Sequence, residues 1–524
     1  MGSSILSPSN QETLSMSKFS KIYCASTLSI LLGTTSAFAD VTNADVWGNW
    51  QSYLETMGYS VTANEAASGG VLLVTDLEMK MVLEDSDEDI SMTMPSLTLT
   101  EQGDGSVKIA MPPLSQVAFK MALQTGEEID AVIGYAQDGL DMVATGENGN
   151  FEYTYSANTM NLTLEKLTVD GAEIGSSMAK GTIGFEGIVG RSAITGSELR
   201  NMAQVLNATA MTYDMMFSDP DSDGSAKING SLQNLTSNVT SMFPIAGVNM
   251  QDMGAMLASG FSTSGTFTYQ GGNMDMAFVS PDGAGTVNTS STGGAMEYAF
   301  GADGLNYDVS QTGLAINALA PDVPLPIVLN MALAKFNFAM PVQKSDEEQD
   351  FAFGFTMGDF TVSDMLWGML DPSAQLSRDP ATIALNLTGK AKVLFDFMNP
   401  DQAAALESSG AAPGELNALT LKNLVVDAVG ARLTGTGDFT FDNSDLASFD
   451  GMPRPTGAVD LKLVGGNGLL DKLVEMGMLP QEQAMGARMM MGLFAVASAE
   501  PDTLNSKLEI NDEGHILANG QRIQ

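Results

Sequence analysis

Three carboxylates at alternate positions, Asp219, Asp221 and Asp223, followed by Gly224, come nearest in type and spacing to a site with its own chemistry. Acidic side chains at loop positions 1, 3 and 5 with glycine at 6 can aim oxygens at a hard cation such as calcium. Position 12, where a bidentate glutamate would close the shell, is Gly230, and strand-like alternation flanks the loop. Two readings follow, a calcium turn and an acidic β-turn closed by glycine. The missing glutamate favours the turn, and no other cofactor is expected. His515 is the only histidine and sits in Asp512-Glu513-Gly514-His515, a hairpin-turn sequence. Ser-His-Asp chemistry would have to use it as base, and a multi-histidine zinc site is excluded. Cys24 is the only cysteine and precedes the mature chain, which excludes a thiol nucleophile, a disulfide and cysteine-ligated metal. Gly181–Gly187 is rich in glycine but lacks the Lys-Ser/Thr that follows a phosphate loop. No catalytic constellation emerges. The expectation is a non-enzymatic protein, and a carboxylate hydrolase is left without support.

The methionines are the other chemical signal. The chain has 36, in pairs such as Met79/Met81, Met92/Met94, Met274/Met276 and Met365/Met369, and in the run Met489-Met490-Met491. Thioethers are flexible and polarizable and suit a surface that repacks around variable apolar ligands, although Met also replaces Leu in ordinary cores. Their spread along the whole chain argues against a copper(I) site. Near the C-terminus Met485, Met489, Leu493 and Val496 form an apolar stripe beside Arg488. The polar face is not basic, as membrane-surface helices usually are, so packing over a sheet is expected.

Met16–Ala39 carries Lys18 and Lys21, an apolar stretch from about Ile22 to Leu32, and Ala37-Phe38-Ala39 before Asp40. That is a secretory leader with its cut between Ala39 and Asp40. It predicts export across the inner membrane to the periplasm and removal of residues 1–39. Loss of Lys18, Lys21 and Glu12 takes the net charge from −40 to −41. Such a surface repels nucleic acid and anionic headgroups, so nucleic-acid binding is excluded. No later apolar run is long enough to span a bilayer. Leu314–Ala334 is interrupted by Pro321, Asp322, Pro324 and Pro326 and reads as a turn-rich loop.

The elements that position these residues are mostly strands. Val46, Trp47, Trp50, Leu54 and Met57 recur at helical spacing, so Ala44–Met57 is predicted to be an amphipathic helix capped by Thr42 or Asn43, its Trp stripe a packing face. From Val71 the period becomes two, in Val71–Glu84, Ile90–Thr100 and the runs that follow to Val169, with turn signals at Asp138-Gly139, Asn148-Gly149 and Asp170-Gly171. Similar runs fill Lys227–Gln311, Val328–Phe360 and Ala381–Val464. Short helices are expected at Val248–Ala258, Val362–Leu370, Pro400–Ser408, Gly468–Met476 and Gln481–Ala497, while Leu199–Phe217 fits helix or strand. The fold class is mainly β, as large curved antiparallel sheets with a few packed helices, in two β-rich halves, 40–312 and 313–524. Leu162–Asp170 (LTLEKLTVD) and Leu419–Asp427 (LTLKNLVVD) echo one another across the halves.

The layout resembles an alphaproteobacterial envelope family, domain of unknown function family 2125. The resemblance rests on the leader followed by Asp40–Val61, on the strand-rich body, and on the ending Leu504–Arg522 with Gly514-His515 and Ala518-Asn519-Gly520. Pro455-Thr456-Gly457 and Asn467–Leu473 are also similar to the ends of large periplasmic β-rich proteins related to outer-membrane assembly suppressors. The resemblance implies a periplasmic location and a large β architecture, and it carries no catalytic residue. The expected function is binding of an apolar ligand such as lipid in a Met-rich β groove. The alternative is a scaffold that binds envelope proteins through its acidic surface and strand edges.

Overall fold

Period-two alternation runs through most of the chain, and in the computed structural model it becomes strand. The structure describes residues 41–524 except 83–88, 123–126, 148, 197–198, 220–222, 246–252, 322, 324, 400–401, 403–405, 407 and 409–411. The first strands are β1 Ser60–Ser68, β2 Val71–Val82, β3 Asp89–Met94, β4 Leu97–Glu101, β5 Val107–Ala110, β6 Leu114–Ala122, β7 Glu128–Asp138, β8 Asp141–Glu147 and β9 Asn150–Val169. Then come β10 Ala172–Ile174, β11 Ala179–Thr195, β12 Leu199–Ser218, β13 Ser225–Pro244, β14 Ser262–Tyr269, β15 Gly272–Ser280, β16 Gly283–Ser291, β17 Gly293–Gly301 and β18 Gly304–Leu319. The remainder are β19 Ile327–Met340, β20 Gln349–Val362, β21 Ala381–Val393, β22 Gly414–Ala428, β23 Ala431–Asp442, β24 Arg454–Val464, β25 Val496–Ala497, β26 Thr503–Ile510, β27 Ile516–Ala518 and β28 Gln521–Arg522. Five helices accompany them among the described residues: α1 Asn43–Thr56, α2 Met253–Ala258, α3 Asp364–Leu370, α4 Gly466–Glu475 and α5 Gln481–Phe494.

All the strands belong to one sheet, and every pairing is antiparallel. Its connectivity is a meander of long strands, several of them broken in line. β3 and β4 lie end to end along β2, and β7 and β8 lie end to end along β9. The Asp138-Gly139 signal is therefore an in-line break and not the expected hairpin turn. Asp170-Gly171 does turn the chain, from β9 into β10. Leu199–Phe217, ambiguous in sequence, is strand throughout, because both β11 and β13 pair along its length. Leu314–Ala334 is not a loop. β18 continues to Leu319 and β19 begins at Ile327. The expected Pro400–Ser408 helix and the acidic run Glu84–Asp89, whose sequence suits a hairpin tip, lie largely outside the described residues.

The in-line breaks align into a seam across the sheet. Left-handed backbone occurs at Asp76, Gly139, Gly187, Asn234, Gly313 and Asp359, and the ladder skips the residues opposite them. On either side of the seam inward apolar residues are two apart, but across it they are three apart: Ala157 to Met160, Phe185 to Ile188, Ala208 to Met211, Leu232 to Leu235. These eight residues form one cluster, so the extra residue in each strand keeps its apolar set on one face. In β11–β12, β12–β13 and β18–β19 both partners skip together, so the register is the same on either side of the seam. The two echoing segments also share a skipped residue. Glu165 in β9 and Lys422 in β22, each fourth in its segment, are both skipped by the neighbouring strand.

Candidate functional site: an apolar cavity beneath α1

α1 is built to stay where it is. Thr42 Oγ1 accepts from the Asp45 amide at 3.2 Å and Asp45 Oδ2 accepts from the Thr42 amide at 3.0 Å, so two of the helix's orphan donors are satisfied. Three polar pins then fix it to strands that are distant in sequence. Trp47 Nε1 donates to Glu65 on β1 at 2.6 Å, the Tyr153 hydroxyl on β9 donates to Asn49 Oδ1 at 2.9 Å, and Arg200 Nη2 on β12 donates to Ser52 Oγ at 3.0 Å. Val46 and Trp47 are buried at 0% and 2% exposure against Leu72, Val74, Leu99 and Ile109.

Beneath α1 lies a cavity of about 580 Å³, within the range of small-molecule sites. Trp47, Trp50, Tyr53 and Leu54 form its roof. Met79, Met92, Met94, Met111 and Met142 form one wall, and Tyr153, Tyr155, Phe185, Ile188, Met202 and Leu206 form another. Ser192 and Gln204 are the polar residues of the lining other than the tyrosines. β2 and β12 both reach this space although they stand six strand spacings apart. On a flat sheet that is about 29 Å, so the first half of the sheet wraps around α1. Floor space comes from a glycine. Tyr155 stands opposite Gly190, and a Cβ there would meet the ring at 2.2 Å. The tyrosine therefore lies down on the neighbouring strand, and Gln204 Nε2 holds its hydroxyl there at 3.1 Å.

The electrostatics follow from burial. Burial raises the Tyr53 hydroxyl above its ordinary range, and burial raises Tyr153 further, against small opposing effects that include the Arg200 charge. Burial also lowers Arg200, with partial compensation from the same two tyrosines. The cavity thus has neutral walls and one guanidinium beside them.

The apolar face continues past the cavity. Phe267 and Met296, then Val309, Phe336 and Phe355, then Leu385 and Leu424, stand opposite one another from β14 to β22. Phe336 and Phe355 keep 38% and 37% of their surface exposed.

The residues singled out in sequence fall elsewhere. Asp219 and Asp223 flank the link between β12 and β13, where the Asp219 amide donates to Gly224 O at 2.9 Å, while Asp221 lies outside the described residues. His515 sits in the β26–β27 turn, its carbonyl accepting from the Asn511 amide. Cys24, Ala39 and Asp40 also lie outside the described residues. Of the methionine pairs, Met92/Met94 and Met79 reach the cavity, whereas Met365 and Met369 are exposed on α3. The expectation that Met485, Met489, Leu493 and Val496 pack over the sheet is wrong. All four are more than half exposed, because α5 turns its small buried residue, Ala484, inward instead. The Trp stripe is a packing face as expected, and it is also the cavity roof. Sequence reasoning missed Tyr153, Tyr155, Gly190 and Arg200. The alternation of Phe151, Tyr153 and Tyr155 was a usable signal for the first two.

Residues 264–518 match the model of a family described as "Uncharacterized protein conserved in bacteria (DUF2125)". This part of the chain belongs to that family. The match opens in β14 and closes in β27, so the DUF2125 region carries the open apolar face, and Asp40–Val61 and the cavity precede it. No curated protein and no solved structure matches the chain.

Proposed function

We propose that this is a non-enzymatic envelope protein, exported to the periplasm, that holds an apolar ligand such as a lipid against its sheet. The observation that carries this reading is the cavity beneath α1, about 580 Å³ with an almost wholly apolar lining. Unfilled apolar space is costly. At about 24 cal/mol per Å³ a closed void of this size would forfeit on the order of 10 kcal/mol, as much as a whole domain's net stability. The open mouth makes that an upper figure, but it favours an occupant. Continuity of the cavity with the exposed phenylalanines of the DUF2125 region supports a ligand with a long hydrocarbon part. The leader supports the location.

The test uses a neutral apolar fluorophore, N-phenyl-1-naphthylamine, with the delipidated protein. Fluorescence should rise on binding, fall when phospholipid competes, and be lost in A208W, which places an indole into the cavity from the buried Ala208. Absence of binding by the folded wild type would overturn the proposal. A second reading, a scaffold for envelope proteins, is favoured by the exposed α5 stripe and by β1, which among the described residues pairs only with β2 and leaves an open edge. Stable co-purification of an envelope protein without lipid would select it.

A further inference from the structure

Arg200 and Asp371 are the two charged side chains among the described residues with less than a tenth of their surface exposed. Asp371 is engaged locally, accepting from the Leu376 amide at 2.8 Å in the turn after α3. Arg200 is not. Its Nη2 donates to Ser52 Oγ, and among the described residues its Nη1 has no hydrogen-bond partner and no carboxylate forms an ion pair with it. By contrast Arg191, Arg378, Arg432, Arg454 and Arg488, all more exposed, each have one. Among the described residues the one buried guanidinium is left without an acid, although the chain has 63 acidic residues. An unpaired buried charge is among the most costly arrangements a fold can keep.

Its place explains the choice. Arg200 is two residues before Met202 and four before Gln204 on β12, on the strand face that lines the cavity. It is close enough to Tyr53 and Tyr153, both cavity residues, for their charges to couple. Phe243 stands opposite it on β13, and Ser52 offers only a neutral acceptor. The cavity therefore has an apolar lining, and the guanidinium that neighbours Tyr53, Tyr153 and Met202 lies next to that lining and is not part of it. A guanidinium is suited to recognising a planar or tetrahedral oxyanion through paired N–H donors.

We infer that the ligand is an anionic amphiphile, its hydrocarbon tail in the cavity and its carboxylate or phosphate head paired with the Arg200 guanidinium. This rests on the reading of the cavity as an apolar ligand site. It also explains how so acidic a protein could take an anionic molecule. The head is read by one sheltered cation, not by the surface charge.

The test compares three probes with one chain length, each below its micelle concentration: hexadecanoate, hexadecyl phosphate and methyl hexadecanoate. Displacement of N-phenyl-1-naphthylamine from the delipidated full chain gives the affinities. At least one anionic probe should bind about tenfold or more tighter than the ester. R200Q should lose that ratio and keep its ester affinity, and R200K should keep part of the ratio. Equal affinity for anions and ester in the wild type overturns the inference and leaves the apolar site standing. Failure of all three probes to bind removes both readings. Displacement of hexadecanoate by millimolar inorganic phosphate, with no ester binding, would make Arg200 a free-anion site and also overturn the inference. The wild-type ratio decides the matter even if R200Q does not fold.

Discussion

Replacing Gly190 by alanine tests whether the cavity floor is shaped as described. The new Cβ would lie 2.2 Å from Cε2 and Cζ of Tyr155 and 2.5 Å from its hydroxyl, where ordinary contact begins at 3.4 Å. The ring must therefore retreat by more than an ångström, and the space available to it is the cavity. Overpacking of this kind costs about 1–3 kcal/mol, and loss of the Gln204 hydrogen bond adds about 1 kcal/mol. Removing a glycine from a strand returns about 0.5–1 kcal/mol. The expected net loss is about 2 kcal/mol, read as a lower urea midpoint with an unchanged slope, together with weaker binding of a neutral apolar probe. In a Y155A background the obstruction is gone, so G190A should become neutral or slightly stabilising. The double-mutant cycle should then show a coupling of about 2 kcal/mol. A G190A protein as stable as wild type, with unchanged probe binding, would refute the flat-ring account.

Other outcomes follow from the same geometry. Asp502 receives the Asn467 and Gly468 amides at 3.1 and 2.8 Å at the start of α4. Its burial opposes ionisation, but these donors outweigh that effect and hold the carboxyl below its usual range. The contribution should be present above about pH 4 and fade as pH falls through the lower folded value, and D502N should cost about 1 kcal/mol at neutral pH and nothing in strong acid, by denaturation at each pH. Tyr53 and Tyr153 are raised by burial, so their contribution is complete below about pH 10 and is lost as pH rises further. An absorbance titration should find tyrosines that ionise only as the protein unfolds. M485K/M489K changes two exposed residues of α5, so stability should stay within about 0.5 kcal/mol of wild type, and a loss above about 2 kcal/mol would mean that the stripe is packed after all.

Much of the architecture was legible because it is local. The helical spacing after two cap candidates announced α1, and of the two Thr42 is the cap, while Asp170-Gly171, Asp282-Gly283 and Asp303-Gly304 each sit where the chain reverses. The seam was harder to read. A left-handed Asn234 or Asp76 in mid-strand looks like any turn-former, and Asp138-Gly139 carries a hairpin signature although the neighbouring strand holds it in line. Its trace is present in retrospect, as apolar residues three apart where two is the rule, in Ala157/Met160 and Leu232/Leu235. The methionine pairs suggested an apolar groove, but its place beneath α1 was not legible. Its existence depends on β2 and β12 meeting around α1, a consequence of curvature summed over many strands. Arg200 was hidden for a related reason. It lies in Leu199–Phe217, whose methionines suit helix and strand alike, and only the pairing with β11 and β13 sets the face it occupies.

The most direct test of the central claim is native mass spectrometry of the protein purified gently from cells that produce it, followed by organic extraction. The account predicts a mass above that of the bare chain by a fixed increment, released into the organic phase as an amphiphile with a long hydrocarbon tail. A bare mass that stays bare after incubation with excess lipid vesicles would contradict it.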